Sequence, residues 1–475
     1  MRGIQSDLTE YSLTEISKAI VSRQVSSLEV TKACLEKINL WQNSRNAFIK
    51  IDEQSAIEQA VLADQKLSMP SFTPPPLHGV PLAHKDMFYR EGQISTCGSK
   101  IRRNWVANQT ATVLKRLDSA GALTLGTLNM SEFAGGPTGH NMHYGHCSSA
   151  YNALYIAGGS SSGSASAVGS RLIFGSLGSD TGGSIRMPAS ANGVLGLKPT
   201  YGRISRFAAM PRSWSLDHVG IIARTARDCA KILQIVAGED SLDPTASAHT
   251  VPNYEAHLEQ SIKGLRVGVL SDTFLSNLDS QVASVLEKSL QILKNCGAVL
   301  IPTRLADMSK LFKVAETIIK SEAASMHGPW LKRHREDYTP LFRSRIEVGL
   351  MIPATQYINA LRLRQHLTQE FMSHTMQDID LLHLPCIPYP LPTLADSDID
   401  TSGDAVRALI GQMSQFTRPI NLLGLPAMSI PCGYCQNGLP LAFQLVGNAF
   451  SEELLLRVSH RFMSETEYHH RLPIL

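Results

Sequence analysis

Two Gly/Ser clusters, Gly158-Gly159-Ser160-Ser161-Ser162-Gly163-Ser164 and Gly178-Ser179-Asp180-Thr181-Gly182-Gly183-Ser184, concentrate nucleophilic hydroxyls and backbone freedom within residues 158–206. Glycine lets backbone N–H groups come close to a bound group, and a serine hydroxyl can donate, accept or attack. Leu172-Ile173-Phe174 separates the clusters, and Val194-Leu195-Gly196-Leu197-Lys198-Pro199 closes the stretch. A flexible Gly/Ser linker does not alternate with aliphatic runs in this way. The stretch therefore reads as the frame of an active site.

Three chemistries compete for it. Gly158 and Gly163 have the gap of a phosphate-binding loop, but Ser164 stands where that loop needs lysine to reach the outer phosphates. Gly159-Ser160-Ser161-Ser162-Gly163 fits a nucleophile elbow with Ser161 as the attacking group of an esterase. That reading needs an Asp and then a His downstream, and the sequence singles out neither.

The third reading is a resemblance. Residues 158–206 resemble the signature segment of the amidase signature family. Upstream, His78-Gly79-Val80-Pro81-Leu82-Ala83-His84-Lys85-Asp86 is similar to the family's lysine segment. Downstream, Asn421-Leu422-Leu423-Gly424-Leu425-Pro426-Ala427 and Gly438-Leu439-Pro440-Leu441-Ala442-Phe443-Gln444-Leu445-Val446-Gly447 are similar to its C-terminal core strands. The resemblance implies Ser184 as nucleophile, Ser160 as a bridging serine on a cis peptide bond and Lys85 as terminal base. The intervals agree, with 24 residues from Ser160 to Ser184 and 75 from Lys85 to Ser160. Ser162 departs from the glycine many members carry, which predicts a local change in loop hydrogen bonding.

The chemistry follows from the groups. A serine hydroxyl needs a base within hydrogen-bond reach, and burial can strip a lysine of its charge so that it accepts a proton. Ser160 would relay the proton from Ser184 to Lys85 and later return it to the leaving amine. The turn Thr181-Gly182-Gly183 offers successive N–H groups beside Ser184, and in the family it is the oxyanion hole. Asp180 and Arg186 flank it and read as a buried ion pair holding the loop. Ser161, Gly135, Gly136 and His140 are expected at the substrate cleft. The implied chemistry needs no cofactor and no metal.

Composition narrows the classes. The chain has 475 residues, 43% hydrophobic, with 44 Lys+Arg against 41 Asp+Glu. There is no extended basic run, so nucleic acid is not the expected partner. The opening residues lack the apolar core of a secretory signal and no eighteen apolar residues run uninterrupted, which predicts a cytoplasmic protein off the membrane. Eight dispersed cysteines do not suggest a disulfide framework. Cys432-Gly433-Tyr434-Cys435 reads as a strand end and turn rather than a redox motif.

The elements that must position these residues are legible as local patterns. Ser12-Leu13-Thr14-Glu15 and Ser26-Ser27-Leu28-Glu29 have capping-box form and open an N-terminal helical arm over about 1–69. After the second, Val30, Ala33, Cys34 and Ile38 repeat on one face. Three consecutive prolines lead into Val80-Pro81-Leu82-Ala83, a short strand delivering Lys85. Residues 112–120, 122–125, 265–270, 278–296 and 298–301 read in turn as helix, strand, strand, helix and strand. This predicts one α/β domain over 1–475, a large mixed β-sheet flanked by helices on both faces with a substantial parallel component. The catalytic core would occupy about 77–305 and 380–475. A variable helical segment over about 306–379 would form the substrate funnel. Its basic residues, among them Arg335, Arg343, Arg345 and Arg364, read mainly as a solvated helix face. If they face the funnel instead, a carboxylate-bearing substrate follows.

Gly139-His140-Asn141-Met142-His143-Tyr144-Gly145-His146-Cys147 offers three histidines and a thiol, the right donors for zinc. Their spacing matches no common zinc pattern, so a polar loop at the cleft is the expectation.

The leading function is therefore hydrolysis of a small-molecule amide by a free-standing amidase, with a homodimer as the family-based expectation. The alternative is the glutaminase subunit of a tRNA-dependent amidotransferase. Members of that branch hold the substrate's amino group with an aspartate where this chain has Ser414. Gln415-Phe416-Thr417-Arg418-Pro419 instead resembles free-standing amidases.

Overall fold

The computed structural model describes residues 7–270, 278–398 and 404–473. Residues 1–6, scanned for a secretory signal, lie outside it. Both expected capping boxes form. Ser12 and Ser26 accept the N–H groups of Glu15 and Glu29, whose carboxylates accept the caps' own N–H groups in return. They start the helices Leu13–Val21 and Ser27–Arg45. Val30, Cys34 and Ile38 are fully buried, so the predicted face packs inward. Asp228 accepts from the Thr14 N–H and hydroxyl, both at 2.9 Å, and ties the arm to the body.

Two sheets carry the chain. The smaller has the order β1-β3-β2, with β1 at Phe48–Ile51, β2 at Pro81–Lys85 and β3 at Leu123–Leu128. The larger comprises β4 (Gly175–Asp180), β5 (Leu195–Lys198), β6 (His218–Ala223), β7 (Arg266–Val269), β8 (Val299–Pro302), β9 (Leu381–Pro385), β10 (Ala427–Tyr434) and β11 (Pro440–Gly447). Its order is β4-β6-β5-β10-β11-β9-β7-β8. Strands β4, β5, β6, β9 and β11 are buried at every position, as a sheet covered on both faces requires. Helices Arg186–Ala191, Ala226–Val236, Ser280–Asn295 and Glu452–Ser464 pack on it.

The parallel component is smaller than the helix–strand alternation predicts. Among the described residues, parallel pairing is confined to β2–β3, β7–β8 and β7–β9. The reason is connectivity. β10 and β11 form a hairpin closed by Gly438 at φ +79°, and β6 inserts antiparallel between β4 and β5. Alternation predicts parallel strands only where the intervening helix returns the chain to the same end.

The predicted variable segment is helical, with Met308–His334, Pro340–Leu350 and Ala354–Glu370. Leu311, Ala315, Ile318 and Phe371 form a core there with Ile420 and Leu422. Cys432 and Cys435 are free thiols at the end of β10. Among the described residues no helix is long and apolar enough to cross a membrane.

Candidate active site

Lys85 ends β2, and β2 is stitched to β4 across the gap between the sheets. The Ser176 hydroxyl donates to Ala83 O at 2.8 Å, and Leu177 N–H donates to His84 Nδ1 at 3.1 Å. This seam brings a lysine from one sheet to the serines of the other. Lys85 is 1% exposed, and its Nζ donates to Ser160 Oγ at 2.7 Å, Ser179 Oγ at 2.8 Å and Ser161 Oγ at 3.1 Å. Burial, assisted by the Arg212 charge, pulls its ammonium down to about 7, against the opposing pull of Asp180 and Asp217. Desolvation disfavours the charged form, so near neutral pH much of Lys85 is a free amine.

Ser160 follows a cis peptide bond from Gly159, as the resemblance implied. Its carbonyl accepts from Ser131 N–H at 3.2 Å. Ser161 N–H donates to Ser184 O at 3.3 Å, so the expected nucleophile sits beside the Ser160-Ser161 pair. The structure thus brings Ser184, Ser160 and Lys85 into one buried cluster.

The turn before Ser184 is built around Asp180. Its carboxylate accepts from Gly183 N–H at 2.6 Å and Ile185 N–H at 3.2 Å, and meets Arg186 Nε and Nη2 at 3.1 Å each. Both side chains are wholly buried. Arg186 also donates to Gln444 Oε1 at 2.9 Å, Thr417 O at 2.9 Å and Asn421 Oδ1 at 2.7 Å. Burial pushes the Asp180 carboxyl up, but the Arg186 charge and its hydrogen bonds hold it well below the usual carboxylate range. The expected loop-holding ion pair is present.

Gly183 is corrected as an oxyanion donor, because its N–H is committed to Asp180. The contacts that Asp180 makes with the turn's backbone leave out the N–H groups of Thr181, Gly182 and Ser184. Gly183 serves the turn differently. Its φ is +119°, and a Cβ there would stand 2.2 Å from Thr417 Oγ1. Thr181 Oγ1 donates to Asp217 Oδ1 at 2.5 Å, fixing the turn's other end.

The remaining predicted contacts divide. Gly135 and Gly136 lie at the site: Gly135 O accepts from Arg345, and Gly136 O is 2.6 Å from where a Cβ on Gly159 would stand. Ser161 is corrected from cleft wall to support. It is 0% exposed, and its hydroxyl accepts from Lys85 and donates to Ser179 O at 3.2 Å, so it is held inside the lysine's hydrogen-bond shell. His140 is corrected too: Nδ1 lies 2.8 Å from Thr138 Oγ1 and Nε2 3.0 Å from Leu394 O, so both ring nitrogens serve loop packing. His143 meets Glu132 at 3.1 Å and His146 accepts from Asn141 N–H at 3.1 Å, so the three histidines turn to separate partners. Ser162 Oγ makes a long contact, 3.5 Å, to Asn129 O and also acts on the Cys147 thiol.

Beside the turn lies a cavity of about 390 Å³ lined by Arg212, Glu316, Phe342, Arg345, Gln415 and Arg418 among others. Arg418 Nε is 3.2 Å from where a Cβ on Gly182 would stand, so the cavity adjoins the turn that carries Ser184. Sequence patterns give Arg212 no role and fold Arg345 into a surface cluster. Arg335 and Arg343 do pair with Glu336 on the exterior, and Arg364 donates to Leu422 O and Ser215 O. Arg345 alone of these four lines the cavity. A signal was available in Arg345's place three residues after Phe342 on helix Pro340–Leu350, the spacing that shares a helix face.

A mixed sheet with a Ser-cisSer-Lys cluster at its edge defines an amidase-signature enzyme. The family model described as Amidase matches residues 29–456, and the chain belongs to the amidase signature family. It is similar to one of the subunits of the glutamyl-tRNA(Gln) amidotransferase of Nitrosococcus oceani, with 35% identity covering 97% of this chain and 99% of that one. It is also similar to a chain solved in work on a vestigial protein complex and the evolutionary origins of an s-triazine catabolic enzyme. That match has a TM-score of 0.88 and 32% identity over 96% of this chain and 98% of that one. A solved amidase matches with TM-score 0.85 and 30% identity, over 96% of this chain and 100% of the other. These relatives span both branches, so they do not single out the free-standing one expected from residues 415–419.

Proposed function

We propose that this chain hydrolyses the carboxamide of a small molecule through an acyl-enzyme on Ser184. The observation that carries this reading is the buried Lys85 Nζ 2.7 Å from Ser160 Oγ, with its ammonium pulled down to about 7. Ser160 takes the Ser184 proton while passing its own to Lys85, and Ser184 Oγ bonds to the carbonyl carbon. The oxyanion is met by the N–H groups of Thr181, Gly182 and Ser184, donors of a kind worth about 3 kcal/mol each. The proton returns through Ser160 to the leaving nitrogen, the C–N bond breaks, and water repeats the sequence to release the acid.

A second reading, the glutaminase subunit of a tRNA-dependent amidotransferase, is favoured by the name of the Nitrosococcus relative. Against it, Ser414 is buried and carries no carboxylate for an ammonium group, while its carbonyl accepts from Arg418 N–H at 2.9 Å. Ammonia release by the purified chain alone, over small amides and glutamine with Ser184→Ala in parallel, separates the two. Turnover of an amide without a partner supports the hydrolase. Turnover of glutamine only when a partner is added supports the amidotransferase reading.

A further inference from the structure

Resting on the amide-hydrolase reading, we propose that the substrate's acyl half ends in a carboxylate held by Arg212, Arg345 and Arg418, so that the enzyme takes monoamides of small dicarboxylic acids. With water, such a substrate yields the dicarboxylate and ammonia, the C–N bond breaking and a C–O bond forming.

The cavity has the charge of an anion site. Three guanidiniums and Lys320 line it, and Glu316 is the one carboxylate among the described lining residues. Glu316 is already shared, 3.0 Å from Lys320 Nζ and 3.9 Å from Arg418 Nη1. The Nε atoms of Arg212 and Arg418 are buried without a hydrogen-bond partner. A guanidinium does not shed its proton to relieve burial, so uncompensated charge at such a site is costly until an anion supplies acceptors. Burial and the neighbouring guanidiniums pull Arg212 down to about 9, and burial pulls Arg418 to about 10.

The site is also joined to the chemistry. Arg212 Nη1 donates to Ala134 O at 2.5 Å and Arg345 donates to Gly135 O, so both are fixed to the loop that passes Gly159. Arg418 lies against Gly182 on one side and stacks over the Phe312 ring at 4.1 Å on the other. Phe312 and Phe342 give walls for a few methylenes between the anion and the amide. About 390 Å³ is the lower range for small-molecule pockets. A second, cationic substituent has no free partner, since Ser414 is neutral and Glu316 is engaged.

The test compares three amides of similar length on the wild-type enzyme: glutaramate, its neutral counterpart pentanamide, and glutamine, which adds an ammonium group. The expected result is a preference for glutaramate of about 100-fold in kcat/KM over each of the others, carried mainly by KM. Charge-assisted hydrogen bonds have that reach. In Arg345→Gln and separately in Arg418→Gln, each checked by thermal melting, the glutaramate-to-pentanamide ratio should collapse toward unity. Pentanamide handled as well as glutaramate, a ratio unmoved by both substitutions, or glutamine preferred would each overturn the proposal. Calorimetric titration of Ser184→Ala with glutarate reads the pocket independently of catalysis. Binding that Arg345→Gln weakens at least tenfold supports the anion site even if no amide is turned over, and absence of binding overturns it. Inorganic phosphate titrated in parallel should bind more weakly, and tighter phosphate binding would overturn the carboxylate assignment.

Discussion

Asp180 accepts the N–H of Gly183 at 2.6 Å, so the turn that presents Ser184 is organised from inside by a carboxylate. The same carboxylate holds Arg186, which reaches Thr417, Asn421 and Gln444 on the C-terminal part of the chain. Replacing Asp180 with Asn leaves a buried guanidinium without its counter-charge. Such losses cost about 3–5 kcal/mol. Urea unfolding of Asp180→Asn should show a destabilisation of that order together with a fall in kcat, and wild-type stability would show that Arg186 finds compensation elsewhere.

Gly183→Ala tests the same turn from the backbone. The added Cβ would stand 2.2 Å from Thr417 Oγ1 at a φ of +119°. The turn must shift to relieve it, and strain of this type costs on the order of 1–3 kcal/mol. Steady-state kinetics should show a fall in kcat larger than any rise in KM, because the displaced groups act on the transition state.

The pH dependence follows from Lys85. Its ammonium is pulled down to about 7, and in the proposed mechanism only the free amine can take the Ser184 proton through Ser160. kcat/KM should therefore hold above that pH and fall about tenfold per unit below it. Arg212→Gln removes a positive charge that disfavours the ammonium, so the Lys85 pKa should rise and the acid limb move to higher pH. A limb that stays in place on removal of Arg212 would contradict the coupling.

Ser179 is expected to position Lys85 rather than relay protons. Its hydroxyl is one of three that accept from Nζ, at 2.8 Å. Ser179→Ala should lower kcat by about tenfold, the worth of one hydrogen bond, while Ser160→Ala should cost a hundredfold or more. Equal losses in the two variants would place Ser179 in the relay.

Much of this was legible in the sequence because it is local. The capping boxes, the strand delivering Lys85 and the motif positions of Ser160 and Ser184 each rest on a few adjacent residues. What was not legible depends on partners distant in the chain. Arg418 meets Gly182, Arg345 meets Gly135, and His140 meets Leu394, each across a hundred residues or more. Helical spacing sets Arg345 on the face of Phe342, but it does not show what that face meets. Gly183 is misread for a different reason. Counting N–H groups in a glycine turn ignores the acceptor three residues upstream, and Asp180 stood in plain view as that acceptor.

The central claim is that Ser184 is the nucleophile, and a serine-directed fluorophosphonate probe tests it without knowledge of the substrate. After labelling, intact-mass measurement and peptide mapping should place a single phosphonyl adduct on Ser184, absent from Ser184→Ala and slowed in Lys85→Ala. An adduct on Ser161, or labelling that survives in Ser184→Ala, would contradict the account.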